Sequence, residues 1–151
     1  MTLAKSALSM SIVAAALSLT ACSREDDGPP AIRLGDSTCA HCNMIISDER
    51  FATATVVESD RGPEPLLFDD FICQLDYEKA HPDIAVVTRW SHDYNTQTWF
   101  PTADAFFVRS DQIRAPMASH LAAFESKEDA EKLATELEGR VAPFKSVWER
   151  D

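Results

Sequence analysis

Basic residues are scarce in this sequence. The chain of 151 residues has 14 Lys and Arg against 25 Asp and Glu, which gives a formal net charge of −11 at pH 7. This balance argues against nucleic acid as a partner, because phosphate backbones bind to positive surfaces. It is compatible with a cation or a basic protein surface, and equally with an acidic surface that only aids solubility. The 45% of hydrophobic residues is enough to form a core, so we expect a folded protein.

The arrangements typical of common enzyme classes are also missing. The sequence has no Ser/His/Asp arrangement, no paired carboxylates at a catalytic spacing and no glycine-rich phosphate loop. The sequence therefore indicates none of these enzyme classes.

The one long apolar run lies at the N-terminus and is too short to span a membrane. It covers Ala7 to Leu19 and predicts a signal peptide over residues 1–21. The following Leu-Thr-Ala-Cys resembles a bacterial lipobox, in which Cys22 becomes the lipidated first residue of the mature protein. The alternative is ordinary cleavage after Ala21 with Cys22 left as a free thiol. Acyl chains on Cys22 would anchor the protein to a membrane.

A charged spacer follows the predicted anchor. Residues 22–35 contain Pro and Gly and show no apolar periodicity, which predicts a flexible linker between membrane and folded domain. Ser23, and not an acidic residue, follows Cys22, which favours the outer membrane. We expect the protein to face the periplasm.

Sulfur is concentrated in one short stretch, Cys39-Ala40-His41-Cys42-Asn43-Met44. Three soft donors within six residues favour a soft metal ion. One further cysteine, Cys73, is predicted to lie within a helix and to pack as a small hydrophobic residue. With Cys22 assigned to lipid, an odd number of cysteines remains, so not all of them can pair internally.

The Cys-x-x-Cys pair leaves four interpretations open. A structural disulfide is one, and a redox dithiol is another, although no helix is predicted directly after the pair. Zinc is disfavoured, because a structural zinc site takes four ligands and the sequence offers no second Cys or His pair. Cu(I) is favoured by Met44, since a thioether suits a cuprous ion better than zinc. Met44 could instead simply begin the apolar run with Ile45 and Ile46.

Residue patterns predict an α+β fold in which strand, strand, helix, strand occurs twice. We expect a helix of about eleven residues capped by Asp69 or Asp70 and ended by His81-Pro82. A second helix is predicted to begin after the cap Ser126 and to end at Gly139 as its C′ residue. The predicted strands cover Phe51–Val57, Leu66–Phe68, Ile84–Thr88, Ala105–Val108, Leu121–Phe124 and Val141–Phe144.

The repeated order indicates an internal duplication. We predict a folded domain over residues 36–145, with a first ββαβ unit at about 45–88 and a second at about 89–145. Two such small units are expected to pack together, since each would be marginally stable alone. We expect residues 90–102 to bridge the units and the tail from Lys145 to be frayed. Three aromatic residues are expected at the seam: Trp90, Tyr94 and Trp99.

Several motifs together resemble the NosL family of nitrous-oxide-reductase accessory lipoproteins. The resemblance covers about Cys39 to Phe144, besides the lipoprotein signal, and is specific only in combination. It rests on Cys-x-x-Cys-x-Met, Phe68-Asp69-Asp70-Phe71-Ile72-Cys73, Asp93-Tyr94-Asn95-Thr96 with Trp99, Pro116-Met117, and Ala123-Phe124 with Gly139. It implies two similar ββαβ units, related to treble-clef and organomercurial-lyase folds. It also implies a copper chaperone, and not an enzyme, that donates Cu(I) for the copper centres of nitrous oxide reductase. A membrane ABC-type assembly complex is the implied partner.

The resemblance also implies ligands. Cys42 and Met44 match the family's copper-binding pair, and Cys39 matches its leading cysteine. Asn43 stands where the family commonly has Gly, and Asn tolerates a positive φ better than most residues. Ala118 likewise replaces a frequent Gly after Pro-Met. Further candidate ligands are Met117, His41 and His120. The rival function is a periplasmic thiol–disulfide oxidoreductase using Cys39 and Cys42.

Overall fold

The first half of the chain forms a four-stranded antiparallel sheet with one helix. In the computed structural model, which describes residues 28–149, the order is β2-β1-β3-β4. The elements are β1 (Thr53–Ser59), β2 (Gly62–Phe68), α1 (Phe71–Ala80), β3 (Val86–His92) and β4 (Trp99–Pro101). The predicted signal peptide and Cys22 lie outside the described residues.

The second half forms a three-stranded antiparallel sheet, in the order β6-β5-β7. Its elements are β5 (Phe106–Arg109), β6 (Leu121–Phe124), α2 (Lys127–Glu136), β7 (Arg140–Pro143) and α3 (Phe144–Trp148). Strand, strand, helix, strand therefore occurs in both halves, and the predicted α+β class is confirmed.

Two side chains that accept hydrogen bonds from backbone N–H groups fix where α1 and α2 begin. The Asp70 carboxylate accepts the N–H of Ile72 at 3.2 Å, and the Ser126 hydroxyl accepts that of Asp129 at 3.3 Å. Each bond satisfies a donor that the first turn of a helix would otherwise leave unpaired. Both caps agree with the sequence, which left only the choice between Asp69 and Asp70 open.

The two sheets meet across an apolar core. Phe71 of α1 packs against Phe107 of β5 with ring centroids 4.4 Å apart, so the first helix reaches the second sheet. Tyr94 also joins the two halves, because its backbone N–H donates to Ala123 O of β6 at 2.8 Å. Trp99 was expected at the seam. Its ring instead lies against that of His92 within the first sheet, with ring centroids 3.6 Å apart.

A second group of buried residues lies beneath the sulfur-rich loop. It joins that loop to β1, β2 and α1 and consists of Cys39, Ile46, Ala52, Phe68 and Cys73. The two buried residues of the loop, Cys39 and Ile46, therefore belong to the folded core.

Three expectations are corrected by the structure. Residues 90–102 are not only a bridge, because β3 continues to His92 and pairs with β4. The tail from Lys145 is not frayed at first, since α3 buries Val147 and packs Trp148 on Phe71 at 6.0 Å. Gly139 is not the residue with positive φ at the end of α2, because Glu138 takes that conformation at +50°.

Over residues 28–149, the helices are all too short or too polar to cross a membrane.

Candidate metal site

The Cys39–Met44 stretch folds as a tight turn between paired backbone segments. Thr38 and Ile45 form an antiparallel bridge, and Cys39 N–H donates to Met44 O at 2.8 Å. Asn43 N–H donates to Cys39 O at 3.0 Å, and Asn43 has a φ of +61°. Asn adopts this left-handed conformation more readily than most residues, which explains how the turn closes without Gly.

Backbone hydrogen bonds hold this turn against the end of β2. Ala40 N–H donates to Leu67 O at 2.7 Å, immediately before the chain reaches Asp69. On the other side, Ile46 N–H donates to Ser37 O at 2.9 Å. The two cysteines are thereby placed beside the first turn of α1.

Four potential ligands meet at this junction. The three thiol sulfurs and one carboxylate oxygen all lie within 4.8 Å of one another, and the residues are Cys39, Cys42, Asp69 and Cys73. We call these residues the ligand tetrad. Cys39 and Cys42 come from the turn, while Asp69 precedes the helix cap and Cys73 lies in the first turn of α1. The Cys42 thiol donates a hydrogen bond to Asp69 Oδ1 at 3.7 Å.

The three sulfur-bearing residues of the turn differ in solvent exposure. Cys39 is 0% exposed, Cys42 is half-buried and Met44 is 52% exposed. Cys73 and Asp69 are buried with Cys39. The site therefore has a buried inner side and an open outer side.

The thiols of the tetrad differ in acidity. A hydrogen bond from the Cys73 thiol lowers the pKa of Cys39 to about 6, with further help from backbone N–H groups and against the effect of burial. The same interaction raises the pKa of Cys73, which keeps its proton. Burial raises the pKa of Cys42. The tetrad thus holds one thiolate ready, and further thiols must lose protons to bind a metal.

A buried carboxylate without a cation supports metal binding. Over residues 28–149, Asp69 forms no ion pair with Lys or Arg, and its neighbours are thiols. Burying an unpaired carboxylate is costly, and a bound metal ion removes that cost.

The tetrad also corrects the sequence argument against zinc. That argument relied on the lack of a second ligand pair, and Asp69 with Cys73 supplies one from α1. Three thiolates and one carboxylate fit a closed tetrahedral Zn²⁺ site, while the three sulfurs alone suit Cu(I). The residues present therefore fit either ion.

The remaining predicted ligands lie outside the tetrad. Met117 is 37% exposed, and its N–H donates to Asp70 Oδ2 at 3.0 Å. Ala118 has a φ of +54°, so the backbone keeps the turn expected of Gly. His120 Nδ1 lies 3.1 Å from Ile113 O, and His41 is exposed in the turn. The predictions that Met117, His41 and His120 are further metal ligands stay predictions.

Two members of the tetrad were missed by the sequence analysis. Cys73 was expected only to pack in a helix, and Asp69 only to cap it. Their spacing of four residues at the start of a predicted helix places both near one helix end. That spacing, together with the unpaired third cysteine, could have indicated a shared site with Cys39 and Cys42.

All three described cysteines are free thiols. A disulfide between Cys39 and Cys42, one of the four interpretations of the sequence, is therefore not present in the structure. The thiols remain available as ligands.

Comparisons with known proteins agree with this architecture. The search of curated protein sequences gave no match. The crystal structure of the copper chaperone NosL from Shewanella denitrificans matches with a TM-score of 0.68 at 17% sequence identity, covering 82% of this chain and 97% of that one. At this identity the match shows a shared fold. The NosL family model matches residues 31–150, well over half of the chain, and the protein therefore belongs to the NosL family.

Proposed function

We propose that this protein is a Cu(I) chaperone that binds its cargo with Cys42 and Met44, assisted by Cys39. The observation that carries the proposal is the convergence of free thiols at the turn in which the exposed Met44 follows Cys42 by two residues. The family and the copper chaperone of the same fold support it. Soft sulfur ligands in this number suit Cu(I).

The difference in exposure between these residues suggests how the ion is released. Cu(I) held by Cys42 and Met44 lies on the open side, where a donor from an acceptor protein can enter. A new Cu–ligand bond forms before the bonds to Met44 and then to Cys42 break. The ion stays Cu(I) throughout; Met44 leaves as a neutral thioether, and the Cys42 thiolate takes up a proton from water once it is released. Such exchange needs an accessible ligand, which Met44 provides.

The acceptor and location follow from family resemblance. We propose that the copper serves the copper centres of nitrous oxide reductase, with a membrane ABC-type assembly complex as partner. Lipid on Cys22 would tether the chain to a membrane, with the outer membrane favoured, facing the periplasm. Co-purification with the assembly complex, lost in a Cys22→Ala chain, would test the tether.

The acidity pattern argues against a thiol–disulfide oxidoreductase. The attacking cysteine of such an enzyme needs a thiol with a low pKa that is also accessible to substrate. Here the acidic thiol, Cys39, is fully buried, while the more accessible Cys42 has a raised pKa. The two requirements fall on different residues.

An anaerobic Cu(I) titration of the purified chain tests the proposal, with native mass spectrometry for stoichiometry and a chromophoric competitor for affinity. Cys42→Ala should weaken binding by about 100-fold or more, and Met44→Leu by about tenfold, or 1.4 kcal/mol. Leu keeps the volume of Met and removes only the sulfur. Val87→Ala, an exposed apolar change elsewhere, is the control. Unchanged affinity in both ligand variants would reject the proposal.

The tetrad supports a second candidate role, a structural Zn²⁺ ion that joins the turn to α1. The specific observation is Asp69, because a hard carboxylate oxygen suits Zn²⁺ and not Cu(I). Binding at the junction of two segments would stabilise the fold.

The two ions are distinguished by residues that only one of them is expected to use. Asp69→Asn should weaken Zn²⁺ affinity and leave that for Cu(I) nearly unchanged, while Met44→Leu should do the reverse. Elemental analysis of the purified protein, with thermal unfolding before and after chelation, provides the measurement. Equal effects of Asp69→Asn on both ions would argue against a separate zinc role.

A further inference from the structure

A groove lies between the second sheet and the two helices that cover it, α1 and α3. Two adjoining cavities, of about 360 and 60 Å³, form the groove, and both are lined by Arg109, Leu121 and Val147. The larger cavity extends along α1, and the smaller one extends along β7. The combined volume is in the range of sites that bind small molecules or short peptide segments.

The charge of this groove is opposite to that of the chain. Its lining includes Lys79 of α1, Arg109 of β5 and Arg140 of β7, and the acidic residue among the described lining residues is Asp76. The whole chain has 14 basic residues against 25 acidic ones. Basic side chains gathered in one groove of so acidic a chain favour an anionic ligand at this place.

The strand register places two arginines side by side. Arg109 and Arg140 are directly opposite each other in the antiparallel pair of β5 and β7, so their side chains leave the sheet on one face. Phe107 shares that face by alternation and packs on Phe71 of α1, so the face is the one that borders the groove. Like charges directly opposite each other destabilise a sheet, and a carboxylate bound between them removes the repulsion.

The floor of the groove is apolar. Leu121 of β6 lies opposite Arg109, and Leu75 and Val147 approach from α1 and α3. These three side chains are at most 5% exposed, whereas Arg140 is exposed. A ligand that matches the groove therefore carries carboxylates for the arginines and an apolar group for the floor.

We propose that this groove binds an acidic segment of a partner protein, with carboxylates on Arg109 and Arg140 and an apolar side chain on Leu121 and Val147. An inorganic anion would leave the apolar floor uncovered. An anionic membrane surface is flat and is repelled by the net charge of −11, whereas a peptide segment enters a recessed groove and supplies both kinds of group. None of the described lining residues belongs to the ligand tetrad, so this inference stands apart from the copper proposal.

Arg140→Glu reverses one charge of the groove. It also replaces a like-charge pair with an opposite-charge pair across β5 and β7, so the urea midpoint of unfolding should stay unchanged or rise. Arg114→Glu is the matched control, because it makes the same change of charge at an exposed arginine outside the groove. Arg140→Gln, which removes the charge only, replaces Arg140→Glu if the latter fails to fold.

Fluorescence anisotropy of a labelled peptide of alternating Glu and Leu measures binding to the purified, metal-free chain. The wild type should bind saturably. Arg140→Glu should weaken binding by at least about tenfold, as expected for loss of a charge-assisted pair, and Arg114→Glu by less than about twofold. A peptide with Gln in place of Glu should bind at least about tenfold more weakly than the acidic one.

Lack of saturable binding by the wild type, equal losses in the two arginine variants, or equal affinity for the two peptides would overturn the inference. Sedimentation with phosphatidylglycerol vesicles that depends on Arg140, or complete displacement of the peptide by millimolar phosphate, would overturn it in favour of another occupant. Amide chemical shifts should change at Arg109, Leu121 and Val147, and changes confined to other residues would contradict the assigned place. None of these outcomes bears on Cu(I) binding.

Discussion

Neighbouring sulfur residues in this protein have different environments. Cys39 is fully buried and acidic, Cys42 is partly accessible with a raised pKa, and Met44 is largely exposed. Reaction of a thiol with an external reagent requires both thiolate and access. The rate of thiol alkylation should therefore differ between Cys39 and Cys42.

Alkylation of the native metal-free chain should modify Cys42 and spare Cys39 and Cys73. The rate at Cys42 should reach half of its maximum at a pH above about 8.5, the pKa of an ordinary cysteine, because the pKa of Cys42 is raised. Peptide mapping by mass spectrometry after iodoacetamide treatment measures each site. Denaturant should make all three reactive, as the control. Fast modification of Cys39 below pH 7 would support the oxidoreductase alternative.

At the scale of elements, Gly139 at the end of α2 is required by a close backbone contact and not by a positive φ. Gly139 N–H donates to Ala134 O at 2.7 Å, the bond expected one residue beyond the left-handed C′ position. A Cβ on Gly139 would lie 2.7 Å from Arg109 O. The glycine thus lets the helix end approach β5, and Glu138 takes the positive φ.

Substitutions at the two positions should have opposite effects. Glu138→Gly should stabilise the protein by about 0.5 kcal/mol, since relief of the left-handed strain exceeds the added chain entropy. Gly139→Ala should destabilise it by about 1–3 kcal/mol through the backbone clash. Urea unfolding measures both. Glu138→Ala, which keeps a Cβ in the same conformation, is the control and should not stabilise. A neutral Gly139→Ala would contradict the close approach.

Local patterns explain which elements could be predicted. Helix caps depend on one side chain and its nearest N–H groups, so Asp70 and Ser126 were identifiable. Residue type predicted strands at Phe51–Val57 and Ala105–Val108, and β1 and β5 lie within two residues of these bounds. The role of Gly139 was not predictable, because it depends on a strand thirty residues earlier in the chain.

At the scale of the whole molecule, the candidate site combines segments that are distant in sequence. The turn at Cys39–Met44 was recognisable because its sulfurs are adjacent. The contribution of Asp69 and Cys73 depends on how the turn packs on β2, through bonds such as Ala40 N–H to Leu67 O. Long-range packing of this kind is not encoded in local spacing, which is why half of the tetrad was missed.

Folding also buries His92, which should make global stability depend on pH. Nδ1 lies 3.0 Å from Ala52 O, and burial lowers the pKa of His92 despite the nearby Glu49. The unfolded chain therefore binds the proton more readily than the folded one. The resulting stability is complete above about pH 6.5 and is lost as pH falls below that value.

Urea unfolding of the metal-free protein between pH 7.5 and 5.5 should show this loss, and His92→Gln should reduce it. The raised pKa of Asp70 acts in the opposite direction, so the comparison with His92→Gln is decisive. The same pH dependence in wild type and variant would contradict this role of His92.

The outward position of Met44 has a consequence for oxidative damage. Met44 is 52% exposed, so peroxide reaches this residue more readily than it reaches the buried Cys39 and Cys73. Oxidation would convert it to a sulfoxide, whose oxygen is a poor donor for a cuprous ion. The chain would then lose the thioether that we propose as a Cu(I) ligand, while its buried thiols stayed intact. A methionine sulfoxide reductase could restore Met44 without refolding.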